Sequence, residues 1–166
     1  MIIIRPLVPA DAAAFLELLH VLDAETKFLL FEPGERQTTV AEQRKIIEDI
    51  NAGGGLIWAA EDSGHLVGFL SARRGGAKRM RHSVYIVVAI LQAYTHQGIG
   101  TRLFTGLEQW ARTNGLRRLE LTTMAHNVNA IALYQKMGFE IEGTKRRSMC
   151  IDGNDIDEYY MGKLLD

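Results

Sequence analysis

The sequence predicts a mixed α/β fold built on one central sheet of about seven strands flanked by about four helices. Three observations carry this expectation. Apolar alternation and helical apolar spacing follow one another as strand, two helices, three strands, helix, strand, helix, two strands. Turn signals at Asp62-Ser63-Gly64 and Asp152-Gly153 join consecutive strand-like runs into hairpins. The chain has 166 residues, 47% hydrophobic and 23% charged, enough for one domain with a core and too few for two comfortable ones. Residues 1–166 therefore read as a single domain.

In chain order, "IIIRPLV" reads as a short strand, with Pro6 pointing to a sheet edge. Asp11 is the expected cap of a helix whose apolar positions are Phe15, Leu18, Leu19 and Leu22. "ETKFLLFEPGERQ", from Glu25 to Gln37, has no period and contains Pro33-Gly34, so it reads as a loop. Thr39 and Glu42 form a capping-box pattern for a second helix through about Asn51, ended by Gly53, Gly54 and Gly55. "LIWAAE" and "HLVGFLSAR" make the first hairpin, and Gly75-Gly76 turns the chain into the long strand "HSVYIVVAIL". Leu103, Phe104, Leu107, Trp110 and Ala111 share a helical face that stops at Asn114-Gly115. "LRRLELTT" is a strand. Asn127 then opens a helix with Ala130, Leu133, Tyr134 and Met137 on one face and Gly138 at its end. "FEIEGTKRRSMC" and "IDEYYMGKLL" flank the final turn.

Composition excludes several function classes. A formal charge of −1 and a pI near 6.5 argue against nucleic acid as a partner. The lone Cys150 makes no internal disulfide, which suits a reducing cytoplasm; it precedes a turn in an apolar strand and is expected to be packed. "MIIIRPLVPAD" lacks the regions of a signal peptide, and the longest apolar run, Tyr85 to Leu91, is too short to span a bilayer. Five scattered histidines without paired Cys/His spacing give no metal site, and no Gly-x-Ser-x-Gly elbow occurs.

The chemistry is expected at "QAYTHQGIGTRLF", Gln92 to Phe104, where two glycines stand at the mouth of a helix. A helix start offers unpaired N–H groups and partial positive charge, and Gly98 and Gly100 let the backbone approach an anion. Residues Thr95 to Thr101 would thus present a row of amides to a pyrophosphate. A Walker loop would need Lys-Ser/Thr after its last glycine, and here Thr101-Arg102 follows. A dinucleotide fingerprint would need a third glycine where Leu103 stands; its acidic partner is present only as Glu120, inside a strand. That reading stays as the runner-up.

Two segments together carry a resemblance. Thr95-His96-Gln97-Gly98-Ile99-Gly100, followed by Asn127, Ala130, Leu133, Tyr134, Gly138 and Phe139, is similar to the two signature segments of the GNAT family of N-acetyltransferases. Thr95 replaces the usual Arg or Gln, and Gln92 stands where proline is common. The resemblance implies a mostly antiparallel twisted sheet splayed at the cofactor-binding strands. It implies acetyl-CoA as co-substrate, and direct attack by a primary amine in a ternary complex. Carried onto this chain, Val88, Ala89, Ile90 and Leu91 would hold the pantetheine arm and thioester, with an amide near Ile90 facing the carbonyl. Thr95, His96, Gln97, Gly98, Ile99, Gly100 and Thr101 would hold the pyrophosphate, His96 itself being read as a solvated loop residue. Asn127 would help hold the cofactor, and Tyr134 would protonate the sulfur. By spacing alone, Tyr134 is a core position and Asn127 a plain N-cap.

The acceptor is not legible. The aromatic and charged loop from Glu25 to Gln37 suits an acceptor wall, with Glu25, Phe28 and Tyr85 as substrate candidates. His82, Tyr85, Glu120 and Glu25 are the possible proton acceptors, none singled out by spacing, and a water chain is equally open. The basic stretch Arg73, Arg74, Lys78, Arg79 and Arg81 reads as a solvated hairpin tip or as a site for an acidic group. A small amine or a peptide N-terminus is the expected acceptor, and a homodimer through exposed strand edges is plausible. Besides the runner-up, which would make the chain a dinucleotide-binding oxidoreductase, a catalytically silent acyl-CoA-binding module is the remaining alternative.

Overall fold

The structure, a computed structural model, describes residues 1–166. Seven strands, β1 (Ile2–Pro6), β2 (Leu56–Asp62), β3 (His65–Arg74), β4 (Ser83–Ile90), β5 (Arg118–Met124), β6 (Glu140–Ile151) and β7 (Asn154–Leu164), form one sheet in the order β1-β2-β3-β4-β5-β7-β6. Only β4 and β5 run parallel; every other neighbouring pair is antiparallel. The helices are α1 (Ala12–Glu25), α2 (Val40–Ala52), α3 (Ile99–Thr113) and α4 (Val128–Lys136). No helix is long and apolar enough to cross a membrane.

Side-chain alternation along β2 and β3 makes two cores. Ile57, Ala59 and Phe69 pack with Leu7, Phe15, Leu19, Leu22, Ile47 and Ile50, which sets α1 and α2 on one face. Trp58, Ala60, Leu70, Ala72, Val84 and Ile86 pack with Leu103, Phe104, Leu107 and Tyr134, which sets α3 and α4 on the other. Ile57 to Ala60 are all buried because both faces are covered there, so this strand reads as an apolar run rather than as an alternation.

Local signals explain the element ends. The Thr39 hydroxyl accepts the Glu42 amide at 3.1 Å and the Glu42 carboxylate accepts the Thr39 amide at 3.3 Å, the expected capping box. Ser63 and Gly64 (φ +50° and +85°) make the first hairpin turn, Asp152 and Gly153 (φ +52° and +79°) the second. Pro6 ends an edge strand, as expected.

Three expectations are corrected. Asp11 stands at the start of α1, but its carboxylate accepts the Val8 amide at 2.8 Å and two Arg5 bonds at 2.9 and 3.0 Å instead of a helix amide. A 3₁₀ turn at Pro9–Asp11 precedes the helix and takes the carboxylate for itself. Glu25 is the last residue of α1, not part of the loop. Cys150 is exposed rather than packed, because β6 is the outer strand of the sheet.

The loop after α1 is held by one buried ion pair. Asp23, 1% exposed, accepts from Arg36 at 2.8 and 3.1 Å, and the guanidinium lies 4.8 Å from the centre of the Phe31 ring. Lys27 pairs with Asp152 in the β6–β7 turn, so the loop straps across the sheet from α1 to the far hairpin. Asp23→Ala leaves the Arg36 charge without its buried partner. The expected cost is about 3 kcal/mol, read by urea denaturation; a loss under about 1 kcal/mol would show that the loop holds itself without the pair.

Candidate active site

The β4–β5 pair stops early. Ser83, Val84 and Tyr85 align with Arg118, Leu119 and Glu120, and beyond them the strands part, while β4 stays paired to β3 as far as Ile90 with Gly68. Leu91 N–H donates to Val67 O at 2.9 Å and Gly75 N–H to Ser83 O at 3.0 Å. Odd-numbered residues of β4 therefore turn their backbone groups toward β3, so Val88 and Ile90 turn theirs into the gap. Of the four residues expected along the pantetheine path, Ala89 and Leu91 face their backbone away, and Leu91 does not line the cleft. The gap opens into a cleft of ≈1430 Å³ running from the loop before α3 to the β6–β7 hairpin.

At one end of the cleft the chain turns from β4 through a 3₁₀ turn, Gln92–Tyr94, into α3. The turn is pinned twice: the Tyr94 hydroxyl donates to Asp62 at 2.9 Å, and the Gln92 amide donates to the Glu25 carboxylate. His96 (φ +61°) is exposed, and it and Gly98 (φ +78°) adopt the left-handed conformation that curls successive amides into a concave row. The first intrahelical bond runs from Arg102 N–H to Gly98 O at 3.1 Å, so the amides of Gly98, Ile99, Gly100 and Thr101 precede the helix ladder. No lysine or arginine lies between Gln92 and Thr101. Attraction for an anion there comes from backbone amides and the α3 dipole.

The two glycines have different reasons. Gly98 supplies the left-handed turn, whereas a Cβ on Gly100 would stand 2.7 Å from Leu133 Cδ2. Gly100, whose amide belongs to the same row, also lies where α3 meets Leu133 of α4. Gln97 does not line the cleft; its side chain donates to Ala93 O at 3.3 Å. The Thr95 hydroxyl donates to Gln92 O at 2.8 Å, closing the turn.

Tyr134 reaches the cleft from α4. Its ring packs edge-on against Phe104 at 5.7 Å and tilted against Phe139 at 6.3 Å, leaving it 7% exposed. The helix ends in a Schellman motif: Phe139 N–H donates to Tyr134 O at 2.9 Å, Gly138 N–H to Gln135 O at 3.0 Å, with Gly138 at φ +93°. The Leu-Tyr-x-x-x-Gly-Phe run is therefore a helix stop that clamps the tyrosine ring with the phenylalanine after the glycine. Burial, and secondarily the nearby Tyr85, push the Tyr134 phenol up to about 12. It is neutral, and so a proton donor, at physiological pH. Asn127 starts α4 through its backbone, with Ile131 N–H donating to Asn127 O at 3.0 Å; its side chain makes no capping bond, and the residue lines the cleft.

Glu25, Phe28 and Tyr85, the three substrate candidates, all line the cleft. Glu25 is occupied by the Gln92 amide. Phe28 lies 5.0 Å from His126, ring to ring. The Tyr85 and Thr122 hydroxyls are 2.6 Å apart, bridging β4 and β5 where their pairing ends. His82 and Glu120, the other two candidate proton acceptors, lie outside the cleft, and Glu120 accepts from Arg118 at 2.6 Å within β5. The basic stretch lies at the opposite end of β4. Arg74 donates to Arg81 O at 2.6 Å and Arg81 to Gly53 O at 2.7 Å, so these two arginines tie the hairpin to the end of α2. None of the five basic residues lines the cleft. Sequence reasoning missed Lys145, Ser148, Met149 and Glu158, which the β7 register carries to the cleft from two later strands.

The Acetyltransferase (GNAT) family model matches residues 18–139. The L-amino acid N-acetyltransferase AaaT of Escherichia coli is 30% identical over 105 residues, 61% of this chain and 63% of that protein, so the chain spans less than two thirds of that relative's length. The acetyltransferase of GNAT family from Streptococcus pneumoniae superposes with a TM-score of 0.95 at 32% identity, over 99% of this chain and 100% of that one. YncA of Salmonella typhimurium, solved with its cofactor acetyl-CoA, shares the fold at a TM-score of 0.89 and 22% identity, over 100% of this chain and 95% of that one. The family match extends over most of the chain, from the middle of α1 to the phenylalanine that clamps Tyr134, and the chain belongs to the GNAT family of acetyltransferases.

Proposed function

We propose that this chain is an acetyl-CoA-dependent N-acetyltransferase that moves an acetyl group to a primary amine by direct attack in a ternary complex. The observation that carries the reading is the splayed cleft itself. It sets the unpaired backbone of Val88 and Ile90 between a row of orphan amides at one end and the buried phenol of Tyr134 on its wall. Those groups fit acetyl-CoA in kind. The amides from Gly98 to Thr101 suit a pyrophosphate, and the strand edge at Val88 and Ile90 suits the amides of a pantetheine arm.

Acetyl-CoA supplies the thioester. The acceptor arrives as an ammonium and loses one proton to solvent water; its neutral nitrogen attacks the carbonyl carbon, forming the C–N bond. The Ile90 amide donates to the carbonyl oxygen as negative charge gathers on it. Collapse breaks the C–S bond. Tyr134 gives its proton to the departing sulfur and is reprotonated by the second proton lost from nitrogen, so the products are the N-acetyl amide and the free thiol. No catalytic base is needed on the protein, in keeping with His82 and Glu120 lying outside the cleft and Glu25 being occupied. The dinucleotide alternative loses its ribose partner, because Glu120 is bound to Arg118 inside the sheet.

Calorimetric titration with acetyl-CoA is expected to give saturable binding at one per chain, with NADH as the silent control. Tyr134→Phe should keep the acetyl-CoA Kd within about threefold while lowering kcat by about 10²- to 10⁴-fold. No binding at millimolar acetyl-CoA, weaker than about −4 kcal/mol, would remove the acetyltransferase reading. Unchanged turnover in Tyr134→Phe would remove this residue from the chemistry.

Tyr134 also predicts a pH dependence of stability. Its phenol is raised in the folded chain from the ordinary 10 to about 12, so the folded state holds this proton more tightly than the unfolded one. The contribution is fully present below pH 10 and is lost as pH rises through about 12. It amounts to about 3 kcal/mol. Urea denaturation from pH 8 to 12 should therefore show a steeper alkaline loss in the wild type than in Tyr134→Phe. Parallel curves would contradict it.

A further inference from the structure

Of the five lysines and glutamates that line the cleft, Glu25 and Lys27 are already committed. Glu25 accepts the Gln92 amide and Lys27 pairs with Asp152. Of the other three, Lys136 lies on α4, and Glu158 on β7 and Lys145 on β6 are opposite charges that are direct cross-strand partners and so point to the same face of the sheet. Neither makes an ion pair, with the other or with any residue. Glu158 is also the partner of Met124 at the C-terminal end of β5, two residues past Thr122 on the same face. It therefore shares a face with the Tyr85–Thr122 bridge, at the wide end of the gap.

The backbone beside this pair is built, not incidental. The β6–β7 register jumps from Lys145 with Glu158 to Met149 with Ile156, so three residues of β6 stand opposite Asp157 alone. Arg147 takes φ +50° there and is held by its amide donating to the Asp157 carboxylate at 2.8 Å. Within the bulge, Ser148 lines the same cleft, and its Oγ is buried without a hydrogen-bond partner. A bulge that re-aims side chains, an orphan hydroxyl and two uncommitted opposite charges coincide at one spot.

We propose that Glu158 and Lys145 read a zwitterionic acceptor, Glu158 taking its amino group and Lys145 its carboxylate, so that the acceptor is a free α-amino acid. This rests on the acetyl-transfer reading above and names its acceptor. Directly opposite strand positions carry their Cβ atoms about 5 Å apart, close enough for the two side chains to meet the amino and carboxylate ends of one α-amino acid. Glu158 accepts from the amine in both its charged and neutral forms, and in the neutral form that hydrogen bond turns the nitrogen lone pair toward the thioester. Ser148 Oγ gains the partner it lacks. Phe28, Leu29, Leu30 and Met149 offer the side chain an apolar wall.

The test compares four acceptors that share one side chain, by thiol release from acetyl-CoA: leucine, leucinamide, 3-methylbutylamine and the dipeptide Leu-Gly. Leucine should exceed the other three in kcat/KM by about 10- to 100-fold, the worth of one hydrogen-bonded charge. Lys145→Met, at an exposed position, should erase that preference. Glu158→Gln, of the same shape, should raise KM for all four by about 10-fold or more with kcat little changed. Both variants should keep the acetyl-CoA Kd of the wild type. Leucinamide or Leu-Gly matching leucine, or a preference that survives Lys145→Met, would overturn the proposal, as would an unchanged KM in Glu158→Gln. Acetyl-CoA binding without acetylation of any of the four would overturn it and leave acetyl transfer standing. Failure of the wild type to bind acetyl-CoA would overturn both.

Discussion

The whole site depends on a hydrogen-bond ladder that ends too soon. Had β4 and β5 stayed paired past Tyr85 and Glu120, the sheet would be continuous, and no cleft would divide it. Unpaired backbone groups in a protein interior are costly unless something meets them. Here the unmet groups are at Val88 and Ile90, between covered faces of the sheet, where an extended chain of amides is the natural partner. Because β4 and β5 are the only parallel pair, α3 starts at the open end of one strand and α4 at the open end of the other. One parting of strands thereby delivers two helix N-termini to the same gap.

How much of this was legible depends on whether the signal is local. The Thr39–Glu42 capping box, the two left-handed hairpin turns and the stop at Gly138 are written in adjacent residues, and the element order followed from them. The splay was legible only through the family resemblance. Alternation says that "YIVVAI" is a strand, but not that its neighbour leaves it after three residues. Asp11 misled because a helix cap and a turn cap use the same side chain, and Arg5, six residues away, decides between them. Cys150 misled because an apolar-looking strand can be the last of its sheet. The acceptor end was the least legible, since it is assembled by the β5–β7 and β6–β7 registers, which pair residues far apart in the chain.

The glycines show how one motif can serve two demands at once. Gly98 is required by its backbone angle and Gly100 by the approach of Leu133 from α4. The first shapes the amide row, and the second brings the helix that carries Tyr134 against the helix that starts the row. Gly138 and Phe139 then fix the far end of that helix and the ring itself. The two signature segments thus meet in the structure, Gly100 at the start of α3 facing Leu133 of α4.

The same two segments also account for where charge is absent. The amide row lacks cationic side chains, and Phe104 and Phe139 pack behind Tyr134, so its buried phenol is a neutral group on the cleft wall. Burial that raises the phenol also strengthens each backbone dipole facing the gap, because fewer waters compete for it. Glu158, Lys145 and the Lys27–Asp152 strap lie toward the β6–β7 hairpin instead. On the proposed reading, recognition by charge near the hairpin and chemistry by dipoles along the strand edge both follow from the early end of one ladder.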